Sequence, residues 1–126
     1  MKTQKTIAIY LIDNNVSCWN ITENQTHPLA TAFPEHQIAL CKSEEAFMRA
    51  LPNAEFALTW TFKQEWLELA PNLKIISTPA AGHDYFHIIP PAEMRMMYGQ
   101  FHGEIMAETA VASILAMTRG ILHATT

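Results

Sequence analysis

Glycine is scarce in this sequence. Four occur in 126 residues, at Gly82, Gly99, Gly103 and Gly120. No two stand at the spacing of G-x-G-x-x-G or G-x-x-x-x-G-K-[ST], so neither a dinucleotide-binding turn nor a P-loop can be assembled from them. Cysteine is scarcer still. Cys18 and Cys41 make no C-x-x-C pair and have no third ligand nearby, which excludes a disulfide framework and leaves a structural zinc site unsupported. Two free thiols suit a reducing compartment, and a cytoplasmic protein is the expectation. Charge is also thin. Charged residues make up 16% of the chain, against about a quarter in an average domain. Eight Lys and Arg against twelve Asp and Glu give a net charge of -4 and no basic stripe, so nucleic acid is not an expected partner. Long hydrophobic runs are missing too. The run of six from Ile7 to Ile12 is too short for a signal-peptide core, and the apolar stretch from Ile105 to Leu122 is interrupted by Glu108 and Arg119, so no membrane span is expected.

What is present is alternation. Ile7-Ala8-Ile9-Tyr10-Leu11-Ile12 reads as a strand buried on both faces, ended by the turn residues Asp13-Asn14-Asn15. A helix is expected somewhere between Val16 and Phe33, in a pattern interrupted by Pro28. Gln37-Ile38-Ala39-Leu40-Cys41 reads as a second strand. Ser43 followed by Glu44-Glu45 and then Phe47, Met48 and Leu51 reads as a capped helix ending at Pro52-Asn53. A third strand is expected from Glu55 to Trp60, a helix from Thr61 to Ala70, a fourth strand from Leu73 to Thr78 and a fifth over Arg95-Met96-Met97-Tyr98. A long helix follows from about Gly103 to Leu122. This order predicts an α/β fold: a flavodoxin-like, doubly wound, parallel five-stranded sheet with helices on both faces, and a long C-terminal apolar helix. Ile105, Met106, Val111, Ile114, Leu115, Met117 and Leu122 surround that helix, with alanines between them. A helix apolar all round needs cover on every side, and a small sheet can cover one side only.

In such sheets ligands bind beyond the carboxyl ends of the strands, which here are Asp13-Asn14, Thr59-Trp60-Thr61 and Pro79 to Asp84. A phosphorelay receiver would need an acidic cluster after strand one, an Asp after strand three and a Lys after strand five. The chain offers Asp13 alone, Thr59-Trp60-Thr61 and Tyr98-Gly99-Gln100. A flavin-phosphate loop after strand one is opposed by the acidic Asp13-Asn14-Asn15-Val16-Ser17. His83 and His87 stand four apart without a third ligand, so no metal is expected. The turn Pro79-Ala80-Ala81-Gly82-His83-Asp84 is the strongest local signal. Its small residues leave backbone N–H groups open to hold a carboxylate, and the alternative is a tight structural turn built around Gly82.

Leu69-Ala70-Pro71-Asn72-Leu73-Lys74-Ile75-Ile76-Ser77 running into Ala80-Ala81-Gly82-His83-Asp84, then Ala107-Glu108, then Arg119-Gly120 in an apolar helix, resembles the D-isomer-specific 2-hydroxyacid dehydrogenases. The resemblance covers essentially the whole chain, most specifically residues 56–122. It implies that residues 1–101 form the substrate-binding domain and residues 102–126 the helix leading towards a Rossmann domain. It implies an NAD(P)-dependent oxidoreductase acting on CH–OH donors that interconverts a 2-oxo acid and a D-2-hydroxy acid. By this resemblance Ala81 and Gly82 match the turn whose amides hold the substrate carboxylate, with Ala80 and His83 flanking it, and Thr59, Trp60 and Thr61 form the pocket rim. Glu108 and Arg119 match helix landmarks. The family's glycine-rich fingerprint and its catalytic Arg, acid and His have no counterpart here, so the expectation is an incomplete enzyme, inactive alone, with no catalytic residue and no bound NAD or NADP of its own. One departure is Tyr98-Gly99-Gln100-Phe101-His102-Gly103 in place of the family's commoner Asn-x-Pro-Gly segment. Self-association through the helix of residues 105–122 is expected, and a dimerising or small-acid-binding module without enzymatic activity is the alternative.

Overall fold

The apolar run near the start of the chain becomes β1 (Lys5–Tyr10), and its alternate residues feed two separate cores. Ile7, Ile9 and Leu11 pack on one face of the sheet, while Ala8 packs on the other. This two-sided burial is what a continuous apolar strand demands. The computed structural model describes residues 5–84 and 86–124, and for Leu122 the backbone only. Tyr85 and the ends of the chain, which fall within the sequence-based domain ranges, lie outside the described residues, as does the Leu122 side chain.

Five parallel strands are formed: β1, β2 (His36–Leu40), β3 (Ala54–Thr59), β4 (Ile75–Thr78) and β5 (Arg95–Tyr98), in the spatial order β2-β1-β3-β4-β5. That is the strand order of the flavodoxin-like doubly wound fold. The register places Ile7 beside Ile38 and Phe56, so one face is lined by Ile7, Ile38 and Phe56 with Leu29 of α1 (Glu23–Ala32) against it. The opposite face carries Ala8, Ala57 and Ile76, small enough to admit the large rings of Phe47, Phe62 and Trp66. These three rings meet edge to face, with Phe47 and Trp66 centroids 5.4 Å apart and Phe62 and Trp66 also 5.4 Å apart.

The helices follow from their caps. Thr22 precedes α1, where its backbone N–H donates to Gln25 Oε1 (2.8 Å), and the helix continues through Pro28. Ser43 Oγ accepts from the Ala46 N–H (3.2 Å) to start α2 (Glu44–Ala50).

Two expectations change. The helix expected over Thr61 to Ala70 is a 3₁₀ turn, Gln64–Leu67. Phe62, Trp66 and Ala70 keep a helical spacing of four and are all buried, but the segment closes with i→i+3 bonds such as Trp66 N–H to Lys63 O (3.1 Å). The long helix is α3 (His102–Thr118), which stops where Gly120 adopts a φ of 66°, and a short α4 (Ile121–Ala124) follows. Glycine tolerates that conformation and ends helices with it. No residue of α3 is buried. No helix among the described residues is long and apolar enough to cross a membrane.

Candidate functional site

The carboxyl edge of the sheet opens into a cleft of about 820 Å³. Four of the five strands contribute to it at this edge: Leu11 and Asp13 follow β1, Trp60 and Thr61 follow β3, Pro79 to Ala81 follow β4, and Phe101 and His102 follow β5. Trp19 and Met106 close the sides. Trp60 donates its Nε1–H to the Trp19 carbonyl (3.3 Å), and the two rings lie 5.5 Å apart at 41°.

The turn after β4 is built by short links. The Thr78 hydroxyl accepts from the Ala80 N–H (3.2 Å), and the Ala80 carbonyl accepts from the Gly99 N–H (3.0 Å). A side chain at Gly99 would place its Cβ 2.0 Å from the Pro79 carbonyl oxygen, so glycine is required for the close approach of the two backbones. The Ala80 amide is thereby occupied. The amides of Ala81 and Gly82 donate to no partner among the described residues.

The sequence-derived site residues separate into two groups. Trp60, Thr61, Ala80 and Ala81 line the one cleft. Thr59, Gly82 and His83 do not line it. Thr59 is buried and donates its hydroxyl to the Thr61 carbonyl (2.8 Å), which fixes the rim from below. His83 stacks on Tyr98 of β5, with centroids 3.9 Å apart and planes at 15°. Several residues of the site, Trp19, Gly99 and His102 among them, were not singled out from the sequence. Gly99 holds the turn, and its signal was the rarity of glycine. His102 lies in the cleft, stacked on Phe101 (4.0 Å), with Nδ1 buried and without a partner. From the sequence it reads only as a helix start.

The opposite edge of the sheet is also cleft, with about 600 Å³, but its chemistry is spent internally. Glu55 is buried there and accepts from Lys74 Nζ, from Lys5 Nζ (3.2 Å) and from His36 Nε2 (2.9 Å). Hydrogen bonds from Lys74 and then His36 hold the Glu55 carboxyl down at about 2, against an ordinary 4.5, although burial pushes the other way. Among the described residues no three His, Cys, Asp or Glu side chains group to hold a metal ion.

The turn after β1 does not suit a nicotinamide dinucleotide. Its pyrophosphate needs open amides at the turn after the first strand. Here Asp13 Oδ1 already accepts from the Asn15 and Val16 amides (2.8 Å each), so the amides are taken and the turn is negative.

No protein-family profile and no curated protein matches the sequence. Among solved structures, 2-hydroxyacid dehydrogenase from Ketogulonicigenium vulgare Y25 is similar over 100% of this chain, with a TM-score of 0.59 and 18% sequence identity. The chain spans 39% of that protein's length. The likeness is one of fold: this α/β domain has the architecture of a stretch of a 2-hydroxyacid dehydrogenase.

Proposed function

We propose that this chain is the substrate-binding part of an NAD(P)-dependent D-2-hydroxyacid dehydrogenase, holding a 2-oxo or 2-hydroxy acid by its carboxylate at the turn of residues 79–82. The observation that carries this reading is a pair of amides, Ala81 at the cleft and Gly82 next to it in the turn, with no partner among the described residues. Open backbone N–H groups in a turn attract a carboxylate without a fixed cation, and no Lys or Arg among the described residues lines the cleft. Trp60 and Thr61 form the facing rim, and His102 offers a hydrogen-bonding nitrogen to the oxygen at carbon 2. The turn after β1 does not suit a dinucleotide, so in this proposal the nicotinamide, which supplies or takes the hydride, belongs to a separate domain. An anchor that binds ground state and transition state alike gives affinity and no rate. The chain alone is therefore expected to bind weakly and turn nothing over. Saturation-transfer NMR with glyoxylate tests the reading, with NADH as a separate control. Transfer to glyoxylate and none to NADH supports it. Transfer to NADH alone overturns it.

A second reading is favoured by α3. Ile105, Met106, Val111, Ile114, Leu115 and Met117, with Ile121 of α4, are all exposed. Apolar surface of that extent on one helix is a pairing surface in search of cover, and self-association of this segment would make the chain a dimerising, acid-binding module. Light scattering decides it: a dimer or larger species supports the pairing, and a 14.2 kDa monomer excludes it.

A further inference from the structure

We infer that the acid bound in the carboxyl-edge cleft carries an aromatic side chain. The inference rests on the proposed carboxylate site and concerns what fills the rest of it. The cleft measures about 820 Å³, within the range that encloses a drug-sized molecule. A two-carbon acid seated on the Ala81 and Gly82 amides would leave most of that volume to water, against walls that water solvates poorly.

Those walls are Leu11, Trp19, Ile21, Trp60, Phe101 and Met106. Three of the six are aromatic. Trp19 and Phe101 are half exposed, which leaves ring surface open on the cleft side. The indole of Trp60 is held by its bond to the Trp19 carbonyl, so the pair presents an orientation settled before a ligand arrives. A flat ring gains from both dispersion and edge-to-face contact with such a wall.

The charges in the cleft narrow the class further. No Lys or Arg among the described residues lines it, and Asp13 brings a carboxylate already committed to its own loop. A second carboxylate or a phosphate on the ligand would meet no counter-ion and one like charge. The ligand is therefore a monoanion: one carboxylate at the turn, an oxygen at carbon 2 near His102, and an uncharged aryl group against the two tryptophans.

Amide- and indole-resolved NMR titration of the whole chain tests this with three probes: glycolate, D-3-phenyllactate and 2-phenylethanol. The expected result is that D-3-phenyllactate binds about 30-fold more tightly than glycolate, the worth of burying one aromatic side chain. It moves the Ala81 and Gly82 amides together with the Trp19 and Trp60 indole N–H signals. Trp19→Ala, which removes a surface residue and leaves the core intact, lowers the preference for phenyllactate over glycolate about tenfold. Equal affinity of the two acids, with the turn amides moving in both, overturns the aromatic inference and leaves the carboxylate site standing. Equal affinity of phenylethanol and phenyllactate, with the turn amides still, overturns the carboxylate site and the inference with it. Silence of the indole signals with every probe also overturns the inference.

Discussion

The two edges of one parallel sheet hold their polar groups in opposite ways. At the amino edge, Glu55 is 8% exposed and is met by three donors, while the lysines that reach it remain 57% and 65% exposed. The buried charge there, Glu55, has its answer within the chain. At the carboxyl edge the cleft walls are largely apolar and, among the described residues, the Ala81 and Gly82 amides and the buried His102 Nδ1 have no partner. Burying a polar group unpaired is unfavourable by about 1–3 kcal/mol. His36 Nδ1 at the amino edge also makes no hydrogen bond, although Glu35 Oε1 lies 3.3 Å away, so the contrast lies between a buried carboxylate that is answered at one edge and turn amides that are open at the other.

The sharpest way to break this contrast is at Gly99. Gly99→Ala drives a methyl group into the Pro79 carbonyl and must displace the turn, for a loss of about 3 kcal/mol in chemical denaturation and loss of acid binding. Next comes the amino edge. Glu55→Gln is expected to lower stability by about 2 kcal/mol near neutral pH while leaving glycolate binding in place. The folded state keeps Glu55 ionised more firmly than the unfolded chain does. Its contribution is therefore complete above about pH 4.5 and is lost as the pH falls towards about 2. Wild-type denaturation curves should show that acid limb, and Glu55→Gln should lack most of it. Asp13→Ala uncaps the loop after β1 and is expected to lose about 1 kcal/mol by thermal unfolding. Smallest is Lys5→Met, below about 1 kcal/mol, because Lys74 and His36 still satisfy Glu55 and the lost ammonium was mostly in water.

Much of the sheet was legible in the residues, for local reasons. A short apolar run bounded by turn residues suits a strand with both faces covered, and Ile7 to Ile12 supplied one whose strand runs from Lys5 to Tyr10. Ser43 and the two glutamates after it marked α2 by chemistry that acts within one turn. The segment of residues 61–70 was read as a helix because Phe62, Trp66 and Ala70 have the right spacing. What that spacing leaves open is whether the turns close at i+4 or i+3, and packing of three rings in one core decided for the tighter form. The polar chemistry was less legible. Glu55 and His36 are 19 residues apart and meet only through the register of β3 and β2 on either side of β1. Gly99 and Pro79 meet only because β5 lies beside β4. Nothing around His102 announces a cleft, since most of the residues that form it come from three other loops, after β1, β3 and β4. The turn of residues 79–82, by contrast, stood out in the sequence as small residues after a buried strand, and the structure ties it to Gly99.

The most direct test is to map where a small carboxylate goes. The chain offers it two exposed lysines at one edge and two neutral amides at the other, and electrostatics in water alone would choose the lysines. Chemical-shift mapping of the whole chain with glycolate should move the amides of Ala81, Gly82 and Thr61 and leave Lys5, Glu55 and Lys74 still. Shifts confined to Lys5 and Lys74 would contradict the account, because the anion would then have chosen the edge whose charges were already answered.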